Sequence, residues 1–389
     1  MSYQPLRGVK VLDIGWLIPP ALTTQRLAAF GADVVKVEAP GRGDYLDRVP
    51  PFYAGHSPVH MTHNAGKRSI HLDVRDPGDR ETLLRLAGVA DVIVENSRPG
   101  AWLSAGVDFV AMRRARPELV VCSITGFGQT GPWASLPSHG LTLDALADAL
   151  NIEWVDGEPR LGWVYTSWGS ELGAQNAAMA VCAALAHVRG GGTGAWIDVS
   201  CWDAAVESHR NEVAADVATG KPVTTRGRTL GAIYEVYRAA DGRLVLLAAL
   251  EPKFWAEFCK RVDRADLLGG GGADEIDFGL DTPELRRELA GIFACAPADE
   301  WERRFLEWGV PGGPVLGIED AVRTAQFRDR GIVEEREPGT YPVVTTPVRW
   351  HDHGSRAGAG LCLPPEHGAD TAEVLSEWLR SNGRLSTIY

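Results

Sequence analysis

Ser170 and Glu171 follow Gly169 where an aromatic-rich loop, RLGWVYTSW, runs into the small-residue apolar stretch LGAQNAAMAVCAAL. That stretch predicts a buried helix beginning at this turn. A helix start leaves backbone N–H groups unpaired and carries the positive end of the dipole, so negative charge is favoured there. Glu171 is the carboxylate at hand, and its ordinary role would be a helix-start acid placed by the dipole. Ser170 would need a base before it could attack an acyl group. The two cannot serve interchangeably, because neighbouring helix positions point about 100° apart. Elsewhere Lys67, Arg68 and Arg98 stand beside Gly- and Pro-rich turns. Such cations are suited to phosphate, although each taken singly reads as a solvated surface residue.

These residues need a scaffold, and the chain supplies an alternating one. Val9 to Ile14 and Ala32 to Val37 read as buried strands around a helix, a βαβ unit that starts a parallel sheet. Further strands are expected at Ser69 to Val74, Asp91 to Glu95, Leu119 to Ile124 and Ala195 to Val199, with turns at NSRPG and GFGQTGP. Ends of parallel strands are where open α/β sheets take ligands. The first turn reads GWLIPP, and its two prolines remove N–H donors. NAD or FAD binding in the G-x-G-x-x-G manner is therefore not expected. From Ile233 the pattern changes to a hairpin turning at Asp241-Gly242, followed by three helices, which predicts a second, smaller domain. The run Gly269 to Gly272 reads as a surface loop and Thr224 to Arg228 as a polar linker; PVVTTPVRW reads as a strand and DTAEVLSEWLRSNG as a closing helix.

With 389 residues, 45% of them hydrophobic and 23% charged, the chain can bury two cores. A net charge of -12 argues against nucleic acid or an anionic membrane as the main partner. The six cysteines form no CxxC pair, so no zinc or disulfide framework is expected. No signal peptide and no membrane-length apolar run is found, and a cytoplasmic location follows as an expectation. Trp16, Trp133, Trp163, Tyr165 and Trp168 suggest an apolar or bulky ligand, with core packing the alternative for at least half of them.

The order of the segments GVKVLDIGWLIPPALTTQRLAAFGADVVKVEAPGRGD, NAGKRSIHLDV, ADVIVENSRPG, SITGFGQTGP, GGTGAWIDVSCWDA, VPGGPV and PPEHGADTAEVL resembles the family III CoA-transferases, the CaiB/BaiF family. The resemblance spans essentially the whole chain. It implies an α/β fold with a Rossmann-like large domain formed by both chain ends, a smaller α+β domain, and an interlocked dimer. Residues 1–200 would form the first part of the large domain, 201–230 a linker, 231–325 the small domain and 326–389 the return. The implied ligand is coenzyme A, carried as an acyl-CoA, with no metal. Its contacts would be Trp16, Pro19, Lys67, Arg68, Asn96 and Arg98. Carboxylic acids would be the other substrates.

The family's transferases use an aspartate one residue after a glycine, just before the small-residue helix. Gapless counting puts that position at Ser170, and a one-residue gap puts it at Gly169; neither is a carboxylate. Ser104 also stands where the family's transferases often carry arginine, and Ala39 where some members do. The racemase branch of the family uses a histidine after the GQxGP motif, here His139, paired with a glutamate in an E-P-x-F-W segment, here Glu251. An imidazole with a carboxylate partner is a suitable base near neutral pH; in a chain with ten histidines a structural role is the alternative. Three expectations result. One is CoA transfer through Glu171 or through an aspartate-bearing homologue in a mixed dimer. Another is racemase-like or lyase-like chemistry with His139 as base. The third is a non-catalytic CoA-binding subunit.

Overall fold

The computed structural model describes residues 3–162, 166–221, 231–268, 281–336 and 341–380. The chain divides into two compact units, Met1–Ala214 with Gly331–Tyr389, and Ala215–Arg330.

In the first unit six strands form one parallel sheet: β1 (Lys10–Asp13), β2 (Asp33–Glu38), β3 (Lys67–His71), β4 (Val92–Glu95), β5 (Val120–Thr125) and, after a hairpin of β6 (Ile152–Val155) and β7 (Glu158–Leu161), β8 (Trp196–Ser200). Their order is β3-β2-β1-β4-β5-β8, so it reverses between β1 and β4. Both faces of the sheet are covered, which is why the strands read as unbroken apolar runs. On one face Val11, Val34, Val94 and Ile124 pack against α1 (Ile18–Ala29) and a long helix, Trp168–Arg189. On the other, Leu12, Val35, Ile93 and Val121 pack against Leu83 and Leu86 of the helix Pro77–Ala87 and Val374 and Trp378 of the closing helix Thr371–Arg380. The last helix thus returns to the sheet begun by the first strand, giving the expected mixed α/β fold around a parallel sheet.

The long helix can lie close because its inward face is small. Gly173, Ala174, Ala177 and Ala178 are buried, and a Cβ on Gly173 would fall 2.7 Å from the sulfur of Cys201. Cys201 opens the helix Cys201–Ser208, whose Cys201, Ala204 and Ala205 are buried. Residues 201–214 therefore belong to the first unit rather than to a linker beginning at 201. β3 likewise starts at Lys67, two residues earlier than expected.

The second unit has an antiparallel hairpin, Tyr234–Arg238 with Leu244–Ala248, and the strand Gly312–Pro314 at its edge. The helices Pro252–Arg261, Pro283–Phe293 and Ala298–Trp308 cover it with a core that includes Phe258, Phe293 and Trp301. Thr224 to Arg228, Gly269 to Gly272, Trp163 and Tyr165 lie outside the described residues.

Candidate active site at the strand-order reversal

Where the strand order reverses, the turns after two neighbouring strands diverge and leave a crevice. Here a cavity of about 490 Å³ opens at the carboxyl ends of β1, β4 and β5. Pro19, Asn96, Arg98, His139 and Ser170, all expected from sequence, lie on its wall. Leu17, Phe127 and Leu143 supply apolar lining, and no carboxylate lines it among the described residues.

The turn after β1 is held without the glycine-rich loop of dinucleotide-binding folds. Buried Asp13 accepts from the Gly15 N–H at 3.1 Å, the Thr24 hydroxyl at 2.7 Å and the Lys67 ammonium at 3.1 Å. Lys36 donates to the Gly15 carbonyl at 3.1 Å and pairs with Asp44 at 2.9 Å. Asp44 in turn accepts from the N–H of Leu17 at 3.2 Å. Leu17 is held at φ 66°, a left-handed backbone that a branched side chain rarely adopts. Pro19 and Pro20 occupy the first turn of α1, where their missing N–H groups cost no intrahelical bond. That helix start therefore offers few donors to a phosphate.

Two cations have other work than sequence suggested. The Lys67 ammonium is enclosed and also donates to the Ala21 carbonyl at 2.9 Å and Asn64 Oδ1 at 2.7 Å, so all three of its protons are taken up inside the fold. Arg68 forms a fork on Asp33 at 3.1 and 2.6 Å and reaches Glu377 on the closing helix at 2.6 Å. Both stabilise the sheet, and neither lines the cavity; Arg98 does, and it is exposed.

His139 caps α2 (Gly140–Ala145), and its backbone N–H lies 3.4 Å from the Thr142 hydroxyl. The helix Trp168–Arg189, α3 here, begins at N-cap Ser167, which places Ser170 in its first turn, buried but on the cavity wall. Glu171 turns away, as the helical angle requires. It does not line the cavity; burial pushes its carboxyl up and the charge of Arg26 on α1 partly offsets this. The candidate nucleophile Glu171 thus lies off the cavity wall, within the field of Arg26. Glu251 belongs to the second unit, as N-cap of the helix Pro252–Arg261.

Asp144, on α2, was not anticipated. It is 1% exposed and accepts from the backbone N–H groups of Trp168 at 3.2 Å and Gly169 at 2.9 Å and from the Ser167 hydroxyl at 3.3 Å. Trp16, also expected from sequence, is outside the lining and 41% exposed, under the Arg42 guanidinium at 4.4 Å. Trp133 packs edge-on against Phe127 and Trp202 and, like Trp168, is outside the lining. Among the described residues no group of His, Cys, Asp or Glu could hold a metal ion, and no helix is long and apolar enough to cross a membrane.

The chain is similar to proteins of known activity. It is 30% identical to succinyl-CoA:glutarate CoA-transferase of Mus musculus, over 97% of this chain and 87% of that one. It is 31% identical to succinyl-CoA:mesaconate CoA-transferase of Haloarcula hispanica, over 96% of each. Among solved structures, Rv3272 from M. tuberculosis superposes with a TM-score of 0.82 at 27% identity, covering 95% of this chain and 98% of that one. A CAIB/BAIF family protein from Brucella suis gives 0.77 at 25%, covering 97% and 100%. The family profile matches residues 6–371, and the chain belongs to CoA-transferase family III.

Proposed function

We propose that this chain binds an acyl-CoA thioester at the strand-order reversal and takes part in moving CoA between carboxylic acids. The observation that carries this reading is the cavity that gathers Asn96, Arg98, His139 and Ser170 in a chain of this family. Arg98 would pair with a phosphate of CoA, and the apolar lining would take its pantetheine arm.

Transfer by the family's usual route needs a carboxylate to attack the thioester. Sequence counting assigns that carboxylate's position to Ser170, and Glu171 is off the cavity wall, within the field of Arg26. The reading we favour is a mixed interlocked dimer in which an aspartate-bearing homologue supplies the nucleophile. One relative, at 26% identity, is the succinyl-CoA--L-malate CoA-transferase alpha subunit of Chloroflexus aurantiacus, named as one subunit of an enzyme. His139, on the same wall as Ser170, favours a second reading. As a base it would remove the proton beside the thioester carbonyl.

Three measurements separate them. Calorimetry with acetyl-CoA and succinyl-CoA tests binding by the purified chain. Isotope exchange between labelled succinate and succinyl-CoA, with and without an aspartate-bearing homologue, tests transfer. Deuterium entering the α-carbon from solvent tests proton removal. Binding with exchange only in the mixed preparation is expected; absence of heat with either ester would overturn the reading.

A further inference from the structure

The first turn of α3 is already occupied. The N–H groups of Trp168 and Gly169 end on the Asp144 carboxylate, and the Ser170 N–H ends on the Ser167 hydroxyl at 3.3 Å, which itself bonds to Asp144. These are the donors that a helix start ordinarily leaves for an anion. Ser170 sits directly above this carboxylate clamp. A Cβ on Gly140 would fall 2.6 Å from the Ser167 oxygen and 2.9 Å from the Ser170 oxygen, so the three residues share one small volume. Cys201 faces the same volume; burial raises its thiol pKa to about 12, and the charge of Asp144 adds to this.

We propose that Asp144 is a positioning residue that loads the α3 terminus with negative charge beneath Ser170. Residue 170 then presents a neutral hydroxyl to the thioester, and the turn rejects a second anion. Asp144 takes no covalent part, being enclosed and absent from the cavity wall. The other groups that could act on a charge at position 170 are His139 on α2, Arg98 across the cavity, Cys201, and Glu171, whose neighbour is Arg26. None of them occupies the helix N–H donors. The substrate part of this proposal rests on acyl-CoA binding as read above; the electrostatic part does not.

The test uses Ser170→Cys in the full chain, alone and with Asp144→Asn. The pH dependence of iodoacetamide labelling of that thiol is followed by site-resolved mass spectrometry. A thiol at a vacant helix start ionises well below its ordinary value of about 8.5. With Asp144 present the thiol is expected at or above about 8.5, falling by at least about one unit when Asp144 becomes Asn. A value below about 8.5 with Asp144 intact, or no fall on its substitution, overturns the proposal. If the double variant does not fold, the single variant decides. As a second readout, Asp144→Asn in the otherwise native chain should raise the affinity for succinyl-CoA relative to acetyl-CoA by about tenfold. Equal weakening of both esters would mean a merely structural Asp144 and would also overturn it. If the native chain binds neither ester, the functional reading fails, while the thiol measurement still decides the charge at the turn.

Discussion

Asn96 and Trp16 hold each other by a reciprocal pair: Asn96 Oδ1 accepts from the Trp16 N–H at 3.2 Å, and Asn96 Nδ2 donates to the Trp16 carbonyl at 2.8 Å. One amide thereby fixes the backbone of the β1 turn from the end of β4. The pair ties together the two turns that border the cavity. Asn96→Ala removes both bonds and should weaken acetyl-CoA binding by up to about thirtyfold, each bond being worth about 1 kcal/mol. Asn96→Asp keeps an acceptor for the Trp16 N–H and loses the donor, so calorimetry should place it between Asn96→Ala and the native chain.

Gly140 leaves room for the turn below it. An added methyl would come within 2.5 Å of the Ser167 Cβ. Overpacking of this kind costs about 1 to 3 kcal/mol. Urea denaturation of Gly140→Ala should show that loss, with ester binding abolished under conditions where the variant remains folded. Unchanged binding would show that the turn gives way easily.

Asp13 holds the floor. Burial opposes its charge, but Lys36 and Lys67 and the bond from Thr24 outweigh that and keep the carboxyl below its ordinary range. Asp13→Asn leaves the enclosed Lys67 without its counter-charge, a change that typically costs about 3 to 5 kcal/mol. Chemical denaturation should report a loss of that order. A much smaller loss would mean that Asp44 compensates through Lys36.

His367 clasps the returning C-terminal segment to the sheet, with Nδ1 2.9 Å from Glu38 and Nε2 3.4 Å from Asp47. The bond to Glu38 is the main cause that raises its pKa to about 9; partial burial opposes it, and the charges of Glu38 and Asp47 assist. His60, which packs 5.5 Å away, is pushed down by burial. Because the folded state holds the His367 proton more tightly, its contribution is complete below pH 6.5, the ordinary imidazole value, and is lost as pH rises through about 9. Tm should decline across that window, and His367→Gln should flatten the decline. An equal slope in the variant would remove His367 as its source.

Much of this was legible in the chain itself, for identifiable reasons. β1, β2, β4 and β5 announce themselves because strands covered on both faces carry unbroken apolar runs. Lys67 and Arg68 misled because a cation beside a turn looks solvated, whereas their partners Asp13 and Asp33 lie 54 and 35 positions away. Asp144 was invisible for the same reason: it caps a helix whose donors lie 24 and 25 positions downstream. The hairpin Ile152–Leu161 did carry its turn signal at Asp156-Gly157, yet its apolar residues Ile152, Trp154 and Leu161 are exposed, so no buried alternation marked the strands.

The enclosure of Lys67 has a chemical corollary. Thioesters acylate free amines, and a protein that harbours them risks modifying itself. The chain has six lysines; Lys36 and Lys67 sit at the floor with their ammonium groups bonded and shielded, and among the described residues the cavity wall carries an arginine, Arg98, and no lysine. Prolonged incubation with succinyl-CoA should therefore leave Lys36 and Lys67 unmodified, and peptide mapping would find any adventitious succinylation on the outer lysines.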